Sequence, residues 1–170
     1  MQPYLSLAGN NAWANATLYT ALSDLDAAAF AAPRPGFFGS LKATLNHIYE
    51  VDLYYLDALA EGGLGRSVYD REEVDTVAPL AARQAEQDQR LIEFCRALTA
   101  DDLTRRVTTE RKDGPVSERI DHLLVHLFQH QVHHRGQAHT MIAEAGITPP
   151  QLDDFFLDYG RVPSADAFPR

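Results

Sequence analysis

The chain carries 7 histidines, at positions 47, 122, 126, 130, 133, 134 and 139, and all but His47 fall in one short segment. Imidazole is the side chain that, near neutral pH, either moves a proton or gives a lone pair to a metal ion. Which of the two applies depends on where each ring points. Taking Ile120 as 0° and 100° per residue, Leu123, Leu124, Leu127, Met141 and Ile142 define an apolar stripe centred at about 350°. On that wheel His134 falls at about 320° and His130 at about 280°, inside the stripe or on its edge. His126, His133 and His122 fall at about 240°, 220° and 200°, and His139 at about 100°, pointing sideways or outward.

The two inward histidines are four residues apart, which stacks two imidazoles on one helix face and suits the holding of one ion by two nitrogens. Two buried imidazoles side by side have few other comfortable states. Both charged, they repel; both unpaired, they leave buried polar atoms unsatisfied. A divalent cation accepts both lone pairs. A third ligand must come from another helix, and His47 is the only histidine left. It lies about 100° from the apolar stripe of its own segment, on a flank shared with Val51 and Tyr54, which fits a boundary position facing a neighbouring helix. The competing reading is that an inward histidine is a hydrogen-bonded core residue. The outward histidines read as surface or orienting groups, with Gln131 and Gln137 as candidate partners, or as adventitious sites for nickel or zinc.

Other reactive groups are few. Cys95 is the only cysteine, so no disulfide forms within the chain and no cysteine-based zinc site exists. It sits in an apolar helical pattern, where a buried inert thiol is expected. Asp52 falls mid-stripe, about 140° round the helix from His47, so the two do not share one ion. It reads as a hydrogen-bond partner behind a ligand or as a buried cap, unless the stripe itself is misplaced.

Four segments must position these residues. Helical periodicity runs from Pro3 to Leu22, with Leu5, Ala8, Ala12, Ala16, Tyr19 and Leu22 at spacings of three and four. A second segment runs from Ser40, a plausible N-cap, to Glu61, where Gly62-Gly63 stops it. A third starts at Val77-Ala78-Pro79 and continues to Leu98. The fourth runs from Ser117 to Gly146, followed by Pro149-Pro150. Residues 64–75 read as a surface connection. Between the third and fourth helices, Asp113-Gly114 flanked by β-branched residues predicts a small hairpin. In the tail from Gln151 to Arg170, the aromatics Phe155, Phe156 and Tyr159 are expected to pack on the body. These elements predict an all-α protein, a four-helix bundle in a single domain over 1–170. The long crossings after the first two helices leave non-alternating topologies open.

Composition excludes several classes of function. The 170 residues suit one domain with a hydrophobic core, and Lys+Arg 15 against Asp+Glu 24 leaves a net charge of -9. With no Lys/Arg cluster, nucleic-acid binding is not expected. The apolar runs fall short of the roughly 20 residues of a membrane span. The start, Met1-Gln2-Pro3-Tyr4, lacks the pattern of a secretory signal and predicts a cytoplasmic protein.

The sequence resembles the DinB/YfiT-like family of metalloenzymes over nearly its whole length. The resemblance runs through Tyr4…Asn10-Asn-Ala-Trp13-Ala-Asn15 and Leu45-Asn-His47-Ile-Tyr-Glu-Val-Asp52. Its most specific part is His126…His130-Gln-Val-His133-His134-Arg135-Gly136-Gln137. The DinB name refers to damage-inducible genes. The resemblance implies an up-down-down-up four-helix bundle, often a homodimer, and a metal held by one histidine of the second helix and two of the fourth. On this sequence these are His47, His130 and His134, with His133 present but not binding. Three neutral nitrogens leave coordination positions open, as in catalytic sites, and suit zinc or nickel. Relatives of understood chemistry are similar to thiol transferases that use low-molecular-weight thiols such as bacillithiol or mycothiol. The leading expectation is therefore a metal-activated thiol attacking a small electrophile. The alternatives are a hydrolase using metal-bound water, with Glu50, Asp52 or Glu118 as base, and a non-catalytic, metal-stabilised dimer that binds a partner.

Overall fold

The computed structural model describes residues 2–170 and is mostly helical, with one two-stranded sheet. Helices α1 (Gln2–Ala21), α2 (Ala27–Ala31), α3 (Leu41–Leu59), α4 (Val77–Ala97) and α5 (Ala100–Thr104) precede strands β1 (Arg106–Arg111) and β2 (Gly114–Arg119). Helix α6 (Ile120–Glu144) follows, and 3₁₀ turns occupy Gly65–Asp70 and Pro163–Ala167. The four long helices pack in a ring, α1 against α4, α4 against α3, α3 against α6, and α6 back against α1. Among the described residues, no helix is long and apolar enough to cross a membrane.

Local chemistry explains most boundaries. Ser40 caps α3, its Oγ accepting from Ala43 N at 3.0 Å. Pro79 sits in the first turn of α4, where its missing N–H costs nothing. Helix α3 ends two residues before the expected Glu61, because Asp57 curls back to accept from Leu64 N (2.9 Å) and Gly65 N (3.0 Å). That carboxylate lies so close to Gly62 that a side chain there would overlap it. The short helix α5 carries a capping box, Thr99 and Asp102 each bonding the other's backbone N–H.

The fourth long helix begins at Ile120, not at Ser117. Ser117 belongs to β2, paired with Thr108 of β1, and the six-residue register runs from Arg106↔Arg119 to Arg111↔Gly114. The expected hairpin is therefore longer than the Asp-Gly turn suggested, and its ladder takes the backbone groups that a helical Ser117 would need. Val107 and Thr109 face inward, and Tyr54 of α3 donates to the Glu110 carbonyl.

Of the three tail aromatics, only Phe155 is buried, its ring 5.7 Å from that of Trp13 on α1. Phe156 is 43% and Tyr159 95% exposed. One aromatic fills the depression beside Trp13 and Ala14, and its neighbours in the chain point away. Because the tail covers one side of α1, this helix is hidden on two faces, and Ala16, expected inside, is exposed.

The core is divided. One apolar cluster gathers Ala8, Tyr54, Leu91 and Leu124 with their neighbours, and another gathers Leu18, Ile48, Leu80 and Met141. Between them lies a buried polar layer drawn from all four long helices: Asn11 and Asn15, Asp52, Gln84 and Asp88, Gln131 and Arg135. Arg135 donates to the side-chain oxygens of Asn11 and Asn15, and to Gln131 Oε1 at 3.0 Å. The two asparagine amides in turn donate to Asp88, Asn11 at 3.0 Å and Asn15 at 2.9 Å. Gln131 and Gln84 donate to Asp52, the latter at 2.6 Å. Two carboxyls thus face one guanidinium through relaying amides. Burial pushes Asp52 up to about 6 and Asp88 up to about 7, with the nearby Asp52 charge adding to the latter. Burial also pulls Arg135 down to about 10.

Removing the cation leaves those carboxyls uncompensated. Arg135→Met should lower unfolding free energy by about 3–5 kcal/mol in urea denaturation. Asp88 contributes one part of the pH dependence, in the same direction as Asp52. Its folded carboxyl keeps its proton where an unfolded one has lost it, so its contribution to stability falls as pH rises from about 4 to about 7. Asp88→Asn should remove that slope, and the stability difference between wild type and variant should be flat above pH 8.

Candidate metal centre

His47 projects from the middle of α3, and His130 and His134 from successive turns of α6, the helix α3 packs against. The i,i+4 spacing stacks the α6 pair with ring centroids 4.3 Å apart. Across the interface, the His47 centroid lies 4.9 Å from that of His130 and 4.8 Å from that of His134. His47 Nε2 and His130 Nε2 are 3.0 Å apart. One nitrogen from each of the three rings lies within 4.8 Å of the others. His47, on a second helix, thus lies beside the α6 pair.

Burial drives all three imidazoles toward their neutral forms. His47 is lowered to about 4, by burial and then by the neighbouring His134 charge. His130 is lowered to about 3, by burial and then by His134, His47, His126 and His133. His134 is lowered by burial, partly offset by its bond to Gln137. Neutral rings present lone pairs, and three of them with their nitrogens this close together form a donor set compatible with a divalent ion.

Orientation comes from behind the rings. His134 Nδ1 lies 2.8 Å from Gln137 Oε1, an acceptor, so Nδ1 carries the proton and Nε2 is left as the free lone pair. Gln137 Nε2 donates to His133 Nε2 at 3.1 Å. His133 thus lies outside the cluster and braces the amide that orients His134. His130 has no such support, since its buried Nδ1 makes no hydrogen bond among the described residues.

The remaining histidines behave as the helical wheel indicated. His122 and His126 are exposed, and His126 lies edge-on to Tyr55 with centroids 5.1 Å apart. His139 points the other way, 3.0 Å from the Pro150 carbonyl. Gln131 does not orient a histidine. It is wholly buried in the polar layer, and its wheel angle of about 20° put it mid-stripe from the start. Asp52 likewise faces Gln84 and Gln131 and not the histidines. The two other candidate bases are engaged elsewhere. Glu118 holds Arg111 with both oxygens at 3.0 Å, and Glu50 faces Arg71 at 3.9 Å.

One residue at the site gave no sequence signal. Phe38, in the Pro35-Gly36-Phe37-Phe38-Gly39 loop, lays its ring 4.3 Å from His47 and 5.4 Å from His134. Phe37 packs edge-on against it and is 80% exposed. An apolar ring against two of the three imidazoles screens that side from water and keeps the rings neutral. Cys95 is buried far down α4, its thiol pushed up to about 12 by burial, and is inert.

If Gln137 fixes the donating nitrogen of His134, Gln137→Ala should weaken zinc binding about 10–100-fold, and Gln137→Glu should retain it. Competition with a chromophoric chelator measures both. Equal affinity in all three proteins would show that the amide does not orient the ring.

The sequence model of the DinB family matches residues 1–161. No curated protein matches the chain. Its fold is similar to that of a crystal structure of a DinB-like protein from Bacillus cereus ATCC 10987. That likeness has a TM-score of 0.63 at 20% identity and covers 82% of this chain and 90% of the other. With a family match over nearly its full length and the same fold in that protein, this chain belongs to the DinB family.

Proposed function

We propose that this DinB-family protein is a metal-dependent thiol S-transferase in which His47, His130 and His134 hold a zinc or nickel ion. The observation that carries the reading is a cluster of three neutral imidazoles with no carboxylate among them. An ion held there would supply Lewis acidity that lowers the pKa of a low-molecular-weight thiol, whose proton would pass to bulk water near neutral pH. The sulfur then forms a bond to carbon of an electrophilic small molecule, and the leaving group departs with the electron pair of the bond it breaks. The chain's own residues hold the ion (three imidazoles), fix one donor (Gln137) and exclude water from one side (Phe38). No nucleophilic side chain is required, in keeping with the buried Cys95.

Hydrolysis by metal-activated water is the second reading. It would want a base beside the ion, and Glu50, Asp52 and Glu118 are each committed to other partners. A metal-stabilised, non-catalytic dimer is the third. Within the leading proposal we place the protein in the cytoplasm as a homodimer that acts on small molecules, not on nucleic acid or membrane. We also propose the up-down-down-up order of the four long helices. The two apolar clusters support it, since α1 and α6 run from the cluster containing Leu124 to the one containing Met141, and α3 and α4 run the opposite way.

Elemental analysis of untagged protein should find about one zinc or nickel per chain, absent from His134→Ala and retained in His139→Ala. The loaded protein should then consume a thiol such as bacillithiol with monobromobimane as electrophile, and His134→Ala should be at background. Ester hydrolysis without thiol would replace this reading by the second. Unfolding on chelation, with no turnover of either kind, would replace it by the third.

A further inference from the structure

A recess of about 580 Å³ opens where the β-hairpin meets the start of α6. Three arginines line it, Arg106, Arg111 and Arg119, against one carboxylate, Glu118. That balance runs against the chain as a whole, whose net charge is -9. His126 also lines the recess, and its ring centroid lies 6.2 Å from that of His130, one of the three clustered imidazoles. The recess therefore borders the candidate metal centre, about one turn of α6 away.

The three cations are not equally engaged. Arg111 is held by both oxygens of Glu118 at 3.0 Å, and Arg119 by Asp121 at 2.6 Å. Arg106 pairs with no carboxylate among the described residues. Its Nε donates to Ser117 Oγ at 3.0 Å and its Nη2 to the Ser117 carbonyl, which pins the guanidinium against β2 and leaves Nη1 without a partner there. The Ser117 hydroxyl proton likewise meets no acceptor among the described residues. Arg106 and Ser117 are both exposed, so these donors are open to a solute. Register adds to the deficit. Arg106 stands directly opposite Arg119 in the ladder, and like charges at paired positions repel.

A pinned guanidinium with free N–H groups beside a hydroxyl is a donor set for negatively charged oxygens. Glu118 is taken up by Arg111 and does not compete for Arg106. One cation is left unshared, which matches the single charge of a carboxylate better than the nearly double charge of a phosphate. We propose that this recess seats a carboxylate group of the small molecule that reacts at the metal centre. Because His126 separates the recess from His130, the carboxylate lies on a different part of that molecule from the reacting atom. The role in turnover rests on the transferase reading above; binding of the carboxylate does not.

Binding is measured by backbone amide shifts with propionate, its neutral counterpart propionamide, and inorganic phosphate. Propionate should shift signals around Arg106 and Ser117, and should do so equally in His134→Ala, where no ion can hold the anion instead. Arg106→Gln should weaken propionate binding about tenfold. Arg105→Gln removes an exposed arginine that pairs with Glu61 outside the recess, and should leave binding unchanged. No shift with propionate, equal binding of propionamide, or tighter binding of phosphate would overturn the carboxylate site and leave the transferase reading standing. Turnover then compares 3-mercaptopropionate with 2-mercaptoethanol, both against monobromobimane, and iodoacetate with iodoacetamide, both against 2-mercaptoethanol. Arg106→Gln should raise KM for one charged member about tenfold relative to its neutral counterpart, and the pair affected tells whether thiol or electrophile carries the carboxylate. Turnover in which neither ratio moves would separate the recess from the reaction and overturn the proposal. No turnover of any thiol, with propionate still bound, would overturn the transferase reading alone.

Discussion

The arrangement of this molecule depends on one buried charge arrangement, a guanidinium and two carboxyls joined through side-chain amides at mid-height of the bundle. Apolar contacts between helices tolerate sliding, because one methyl group packs nearly as well as the next. Hydrogen bonds between buried amides and carboxylates do not, because a shift of one residue leaves each member unsatisfied at a cost of a few kcal/mol. With members on α1, α3, α4 and α6, the layer sets the register of all four long helices at once. It also divides the apolar core in two, with hydrocarbon packing on each side.

The histidine cluster depends on that register. Gln131 follows His130 in the chain, and Asp52 lies five residues beyond His47, so the Gln131–Asp52 hydrogen bond clamps α6 to α3 within about two turns of the three imidazoles. An ion site needs its donors held to a fraction of an ångström, which long side chains on independently sliding helices cannot provide. Rigid polar bonding in the middle of the bundle and convergent lone pairs beside it are parts of one arrangement.

Burial, and not a nearby countercharge, keeps the three imidazoles neutral. A carboxylate beside them would have favoured imidazolium and competed with an ion for the site. The candidate carboxylates are instead paired with arginines, as Glu118 and Glu50 are, or sequestered in the polar layer, as Asp52 is.

Much of this was open to reading from the chain alone. Helical period separated His130 and His134 from the outward histidines because a 100° step per residue converts spacing directly into direction on a single helix. Capping chemistry located Ser40, Pro79 and the Asp-Gly turn because these depend on neighbours in sequence. The sequence failed where a residue's partner lies far along the chain. It assigned Gln131 to a histidine when its partners are Asp52 and Arg135, and it continued a helix through Ser117 that pairs instead with Thr108. It gave no sign of Phe38, whose position against His47 and His134 follows from a glycine-rich loop folding over α3 and α6. Directions around one helix are fixed by local backbone geometry. Which faces meet, and which polar atoms find partners there, is decided only when the helices pack.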